Sequence, residues 1–149
     1  MIVSDSMVSI EHKDIWYPAK KLGRGPGLIA GASGHGGDCA RFLEWASNGF
    51  KPKEEPKWRD TTTDDQVLAL IVKPDGIYCW SPGDPGPEKV EADFYACGSG
   101  GKAAHVAMML GKTPIEAVEL AIQVDLWSGP PLQVLHLHEK SPAATERKQ

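Results

Sequence analysis

Three polar positions in this sequence have side chains suited to catalysis. Asp5-Ser6 closes an apolar run, Lys20-Lys21 precedes a glycine-rich stretch, and Asp125-x-x-Ser128-Gly129 ends an apolar helical pattern. Carboxylate, ammonium and hydroxyl groups orient, charge and relay protons in acid–base and nucleophilic chemistry. Taken singly, each is also an ordinary cap, surface charge or turn. It is their order along the chain that sets them apart.

Other motifs point to chemistry less well. Gly98, Gly100 and Ala103 meet the dinucleotide pattern GxGxx(G/A), but no second strand with a ribose-binding acid follows at the right distance. The Walker pattern fails, because Ala96 stands where the first glycine belongs and Ala103 follows Lys102. This segment reads as a tight strand-to-helix turn. His136 and His138 alternate on one strand face, yet no third ligand at fixed spacing accompanies them, so they read as surface histidines and no metal is expected. GASGHGG misses the nucleophile elbow GxSxG, with His35 in the last glycine position. Thr61 to Thr63 are internal and lie in a charged loop, and the five tryptophans are scattered, as packing residues are.

These groups need elements to hold them. Met1 to Ser4 reads as a strand end, followed by a turn and a further short strand. Leu28 to Ala30 forms a short buried strand between glycine clusters. Cys39, Phe42, Leu43 and Ala46 then make one helical stripe, with Asp38 near its N-terminal end. Residues 48–65 show no apolar period and read as a solvated loop. Val67 to Val72, the turn Lys73-Pro74-Asp75-Gly76 and Ile77 to Trp80 predict a β-hairpin. A strand is expected over Ala92 to Cys97 and a helix over Lys102 to Leu110. Thr113-Pro114-Ile115-Glu116 is a capping box with proline at the first helical position. Its helix should run to about Leu126 and bury Ile115, Val118, Ile122 and the alanines near them. LQVLHLH is the last strand, and residues 139–149 are expected to be a disordered tail.

The 149 residues fit a single domain, expected over residues 1–138. Sixteen basic against twenty acidic residues give a net charge of −4, which argues against nucleic acid as a partner. Hydrophobic residues at 41% and charged residues at 24% are ordinary globular usage. No stretch approaches the roughly 20 apolar residues of a membrane span, and the N-terminus lacks signal-peptide regions, so a cytoplasmic protein without membrane contact is expected. Cys39, Cys79 and Cys97 are odd in number and fall outside any CxxC, and so read as reduced thiols.

In combination these segments resemble the proteasome β-subunit and HslV-type peptidases, threonine-nucleophile members of the Ntn-hydrolase superfamily. The resemblance is carried by SDS at residues 4–6, KKL at 20–22, ASGHGGDCARFLEW at 32–45, LALIVKPDGIYCWS, ACGSGG at 96–101 and TPIEAVELAIQVDLWSG, and it covers residues 1 to about 138. Such proteins place the catalytic lysine sixteen residues after a strand-end aspartate, as Lys21 follows Asp5, and end the late helix in DxxSG.

The resemblance implies an α+β fold, a four-layer α-β-β-α sandwich with two antiparallel sheets between helices. It implies peptide-bond hydrolysis within a homo-oligomeric ring, acting on peptides or unfolded proteins, with an ATPase unfoldase as possible partner and no cofactor. An N-terminal threonine hydroxyl would attack the carbonyl with the chain's own α-amine as base. Lys21 would favour the deprotonated nucleophile, Asp5 would hold Lys21, and Ser99, Asp125 and Ser128 would position the amine. The Gly34 N–H would bind the oxyanion, and Val8, Ala32 and Gly36 would line an open apolar specificity pocket. By the same spacing the threonine belongs twelve residues before Asp5, ahead of Met1. The chain is therefore expected to lack the first strand and the nucleophile. The alternative is a noncatalytic structural or assembly subunit. A further departure is the loop at 48–65, where the family continues a long pair of helices.

Overall fold

The structure, a computed structural model, describes residues 1–9, 16–59 and 66–138. It is a mixed α/β fold. In chain order the strands and helices are β1 (Ile2–Ser4), β2 (Met7–Ser9), β3 (Trp16–Pro18), β4 (Leu22–Gly25), β5 (Leu28–Ser33), α1 (Gly36–Ser47), β6 (Leu68–Lys73), β7 (Gly76–Trp80), β8 (Glu88–Val90), α2 (Gly101–Met109), α3 (Pro114–Val124) and β9 (Gln133–Leu135). Among the described residues β4 to β8 form one antiparallel sheet in sequence order, while β1 pairs with β9 and β2 with β3 as separate ribbons. The second expected sheet is thus represented by two short pairs.

Local chemistry explains the central sheet. Pro26-Gly27 joins β4 to β5, with Gly25 opposite Leu28 and Gly27 at φ 68°, the left-handed position that follows a turn-initiating proline. Pro74-Asp75 joins β6 to β7, as the hairpin reading expects. Side chains alternate across the sheet. Ala30, Ala32, Ala69, Ile71 and Trp80 pack with Phe42, Leu43 and Ala46 of α1, whereas Ile29 packs with Ile2 and Leu22, against which Leu70, Val72 and Leu135 lie. One face of the sheet therefore carries α1, and the other carries the β1–β9 ribbon, on which α3 rests in turn.

Several expectations need correction. Residues 48–59 are not merely a solvated loop: Phe50 stacks edge-on to Trp45 at 4.9 Å, and Trp58 lies 5.2 Å from Trp80. These contacts have no helical or strand period, so periodicity could not show them. A single 3₁₀ turn at Pro52–Glu54 holds the segment, helped by the Trp45 indole N–H donating to the Lys51 carbonyl at 2.8 Å. Residues 92–97 form no strand; the last strand of the central sheet is β8, whose Val90 pairs with Ile77. α3 begins at the expected capping box, with Glu116 N–H donating to Thr113 Oγ1 and Thr113 N–H to Glu116 Oε2. It ends at Val124, and of the residues expected to be buried the alanines Ala117 and Ala121 are, whereas Ile115, Val118 and Ile122 are only half-buried. Facing α2 through Ala104 and Ala107, the small residues let the helices approach closely. Thr61 to Thr63 and the tail 139–149 lie outside the described residues.

Candidate active site

Asp5 sits just past β1 and Lys21 just before β4, and the fold closes the sixteen-residue gap into an ion pair, Lys21 Nζ to Asp5 Oδ1 at 2.8 Å. The side chains are only 15% and 14% exposed, so the pair is shielded from most of the screening that makes surface pairs weak. The second carboxylate oxygen accepts from Met7 N–H at 2.9 Å and Gly129 N–H at 3.1 Å. These donors fix the carboxylate, and the carboxylate fixes the ammonium.

The DxxSG helix end builds the adjoining network. Asp125 Oδ2 accepts from Ser99 Oγ at 2.7 Å and Ser128 Oγ at 2.5 Å. Gly100 makes this possible: a Cβ there would stand 3.0 Å from Ser128 Oγ and 3.2 Å from the Ala121 Cβ. Gly129, next to Ser128, donates to Asp5 and so ties the network to the ion pair.

Asp5, Lys21, Ala32, Ser99 and Ser128 all line one cavity of about 210 Å³, which extends from the ion pair between the central sheet and the α2–α3 pair. Its polar end is small and its walls are mostly apolar, the usual make-up of a ligand site. Of the remaining expected residues, Gly34 occupies an exposed bend at φ 114°, a conformation suited to glycine, directly after the cavity-lining Ser33. Gly36 faces Val8: a Cβ on it would lie 3.5 Å from Val8 Cγ1. Val8, Gly34 and Gly36 are not part of the cavity wall.

Sequence reasoning missed Gln133. Its Oε1 accepts from Lys21 N–H at 2.9 Å, and its Nε2 donates to Ser6 Oγ at 2.6 Å and the Ala19 carbonyl at 2.7 Å, tying the segment that carries Lys21 to β9. The one clue was an amide in an otherwise apolar strand. Asp38, expected near the N-terminal end of the helical stripe, is there but also buried: it is paired with Arg41 and lies 3.7 Å from Arg59 Nε and 3.8 Å from His35 Nδ1.

The thiols are poor nucleophiles. Burial pushes Cys97 up to about 11, partly offset by its contact with Ser33 Oγ, and burial likewise pushes Cys39 up to about 11, partly offset by Lys21. The cavity hydroxyls of Ser99 and Ser128 are committed to Asp125, and that of Ser4 to the Asp5 carbonyl.

Comparison with solved structures identifies the fold. Eukaryotic HslV from Trypanosoma brucei matches with a TM-score of 0.64 at 21% identity over 88% of each chain. The fold is that of HslV. Thiobacillus denitrificans BPH has the same fold: its structure with epoxomicin matches with a TM-score of 0.67 at 17% identity, and BPH alone with 0.66 at 16%, each over 88% of both chains. No family model and no curated protein matches the sequence. The HslV-like fold is the framework on which Asp5, Lys21 and the Asp125 network meet. Among the described residues, no helix is long and apolar enough to cross a membrane, and no group of three or more His, Cys, Asp or Glu side chains is arranged to hold a metal.

Proposed function

We propose that this chain is a subunit of a proteasome-like threonine peptidase that hydrolyses peptide bonds inside a homo-oligomeric ring in the cytoplasm. The observation that carries the proposal is the shielded Asp5–Lys21 pair joined through Gly129 to the Ser99–Asp125–Ser128 network. In this reading the domain spans residues 1–138 as a four-layer α-β-β-α sandwich, and the nucleophile is a threonine in a strand ahead of Met1.

The threonine hydroxyl attacks the scissile carbonyl while the α-amine takes its proton. The C–N bond then breaks, the proton passes to the leaving amine, and water hydrolyses the resulting ester. The Lys21 ammonium stabilises the deprotonated oxygen, and Asp5 holds the Lys21 side chain aimed. Ser99, Asp125 and Ser128 orient the amine, the Gly34 N–H receives the oxyanion, and Val8, Ala32 and Gly36 receive an apolar side chain. Peptides or unfolded proteins are the substrates, with an ATPase unfoldase as the feeding partner. No cofactor or metal is required.

A second reading, a noncatalytic structural or assembly subunit, is favoured by the commitment of every cavity serine hydroxyl but Ser33's at about 3 Å or less and by the raised Cys97 thiol. Fluorogenic-peptide assays separate the two. The 149-residue chain should show no turnover, because an oriented site without an activated nucleophile retains only residual catalysis. A form extended by the threonine-bearing strand should turn over, form a covalent adduct with epoxomicin, and lose both properties on Lys21→Ala. If the extended form is folded and ring-forming but inert, the noncatalytic reading stands.

A further inference from the structure

Residues 34–37 join β5 to the first turn of α1, and three of the four are glycine. His35 caps the helix without a side-chain capping bond. Such a stretch loses more backbone entropy on ordering than one of ordinary side chains. A donor kept ready for a developing negative charge must nevertheless be fixed before reaction. Groups outside the turn have to hold it.

The β5 side is held by Ser33, whose Oγ reaches the Leu68 carbonyl at 3.5 Å. The α1 side is held by Asp38, whose side chain is only 7% exposed although three groups surround its carboxylate. Arg41 pairs with Oδ1, and Arg59 Nε and His35 Nδ1 stand 3.7 Å and 3.8 Å from Oδ2. The imidazole lies against Gly37, where an added Cβ would stand 3.2 Å from His35 Cε1. Its Nδ1 is shielded from solvent and has no hydrogen-bond partner among the described residues. One carboxylate thus gathers the turn through His35, the helix through Arg41 and the segment 50–59 through Arg59. That segment is fastened in turn, with Phe50 and Trp58 packed on Trp45. Withdrawing a partner from so shielded a charge disturbs far more than withdrawing one from a surface pair.

We propose that Asp38 is a positioning residue for the Gly34 N–H, and that Arg59 couples this turn to the segment 50–59. The inference rests on the reading that gives Gly34 the oxyanion. Asp38 acts through the turn and not on the substrate.

The first test uses the 149-residue chain. Nitrogen-15 relaxation should give the Gly34 amide an order parameter near 0.85, falling below about 0.6 in Asp38→Asn. Arg59→Gln should lower it less and Arg59→Lys should restore it, while amides 42–46 keep their values. If Asp38→Asn does not fold, the two Arg59 variants, at a side chain 43% exposed, carry the comparison. In the threonine-bearing form, Asp38→Asn should lower kcat about tenfold and leave KM within about twofold, because a misplaced donor is felt in the transition state. A Gly34 amide equally ordered in every variant, order lost evenly along α1, or a change in KM alone would overturn the proposal. A threonine-bearing form that is inert, beside a 149-residue chain that shows the Gly34 pattern, overturns the peptidase reading and upholds the Asp38 clasp.

Discussion

The two faces of the five-stranded sheet are packed by opposite strategies. Under α1 the space is filled by large side chains: Phe42 is completely buried, stacks on Trp80 at 5.6 Å and meets Phe50 at the same distance. Gly25 brings α1 so near that a Cβ there would stand 2.1 Å from the Ala46 carbonyl oxygen. Across the sheet, α2 and α3 meet through alanines, and a cavity of about 210 Å³ separates them from the sheet. The closed face supplies cohesion, since dense interiors gain dispersion and apolar burial together. The open face holds the ion pair and the Asp125 network. The dense core and the polar cluster thus lie on different sides of one sheet.

The contrast can be broken most forcefully from the closed side. Phe42→Ala should cost about 3 to 5 kcal/mol, because its ring neighbours Phe50 and Trp80, themselves held by further aromatic contacts, cannot collapse into the space left by the ring. Urea unfolding monitored by tryptophan fluorescence measures it; a loss below about 1 kcal/mol would mean that the aromatic cluster is not the cohesive centre.

A matched pair of enlargements is subtler. Ala46 is completely buried on the sheet-facing side of α1, whereas Ala104 lines the cavity. Ala46→Val should destabilise by about 1 to 3 kcal/mol through overpacking. Ala104→Val should cost less, no more than about 1 kcal/mol, since at the cavity edge of the α2–α3 seam the added carbons have apolar space to one side. Both sites are helical, so the propensity penalty cancels in the comparison. Equal destabilisation in thermal melts would show the two faces to be packed alike.

The smallest effect concerns the thiols, one on each side. With Cys39 and Cys97 both held near 11, about one part in a thousand is thiolate at pH 8, so iodoacetamide should modify both slowly. Unfolded thiols titrate near 8.5, so the folded state binds these protons more tightly. The resulting stability is fully present below about pH 8.5 and is lost as pH rises towards 11. As pH rises, Cys97, beside the cavity, should be alkylated before Cys39 beneath α1, which mass spectrometry resolves. The reverse order would contradict the open and closed assignment.

Much of this division was legible in the sequence where a local rule governs. The stripe Cys39, Phe42, Leu43 and Ala46 and the box Thr113 to Glu116 depend on helical period and cap chemistry alone, and both form. The Asp5–Lys21 pair and the Asp125–Ser128 contact were legible only through family resemblance, because nothing local dictates a contact across sixteen residues. What escaped depends on neighbours. Residues 92–97 have strand-forming side chains but no adjoining strand to complete a ladder. Phe50 and Trp58 join the core from an aperiodic segment. Gln133 reaches Lys21 because of the β1–β9 register, which no single strand encodes. The expected alanines of α3 are buried against α2, but Ile115, Val118 and Ile122 stay half-buried because the close helix approach is made by small residues.

The central claim is that the Asp5–Lys21 pair at the polar end of the cavity is a catalytic charge device. It is tested most directly by comparing peptide turnover of the threonine-bearing form with that of Lys21→Met, which keeps the length of the side chain and removes its charge. A fold otherwise intact by circular dichroism and a turnover lowered about a hundredfold or more, the scale for deleting one electrostatic stabiliser, is the predicted result. Turnover within a few-fold of the unsubstituted form would contradict the account and leave the pair a structural tie between β1 and β4.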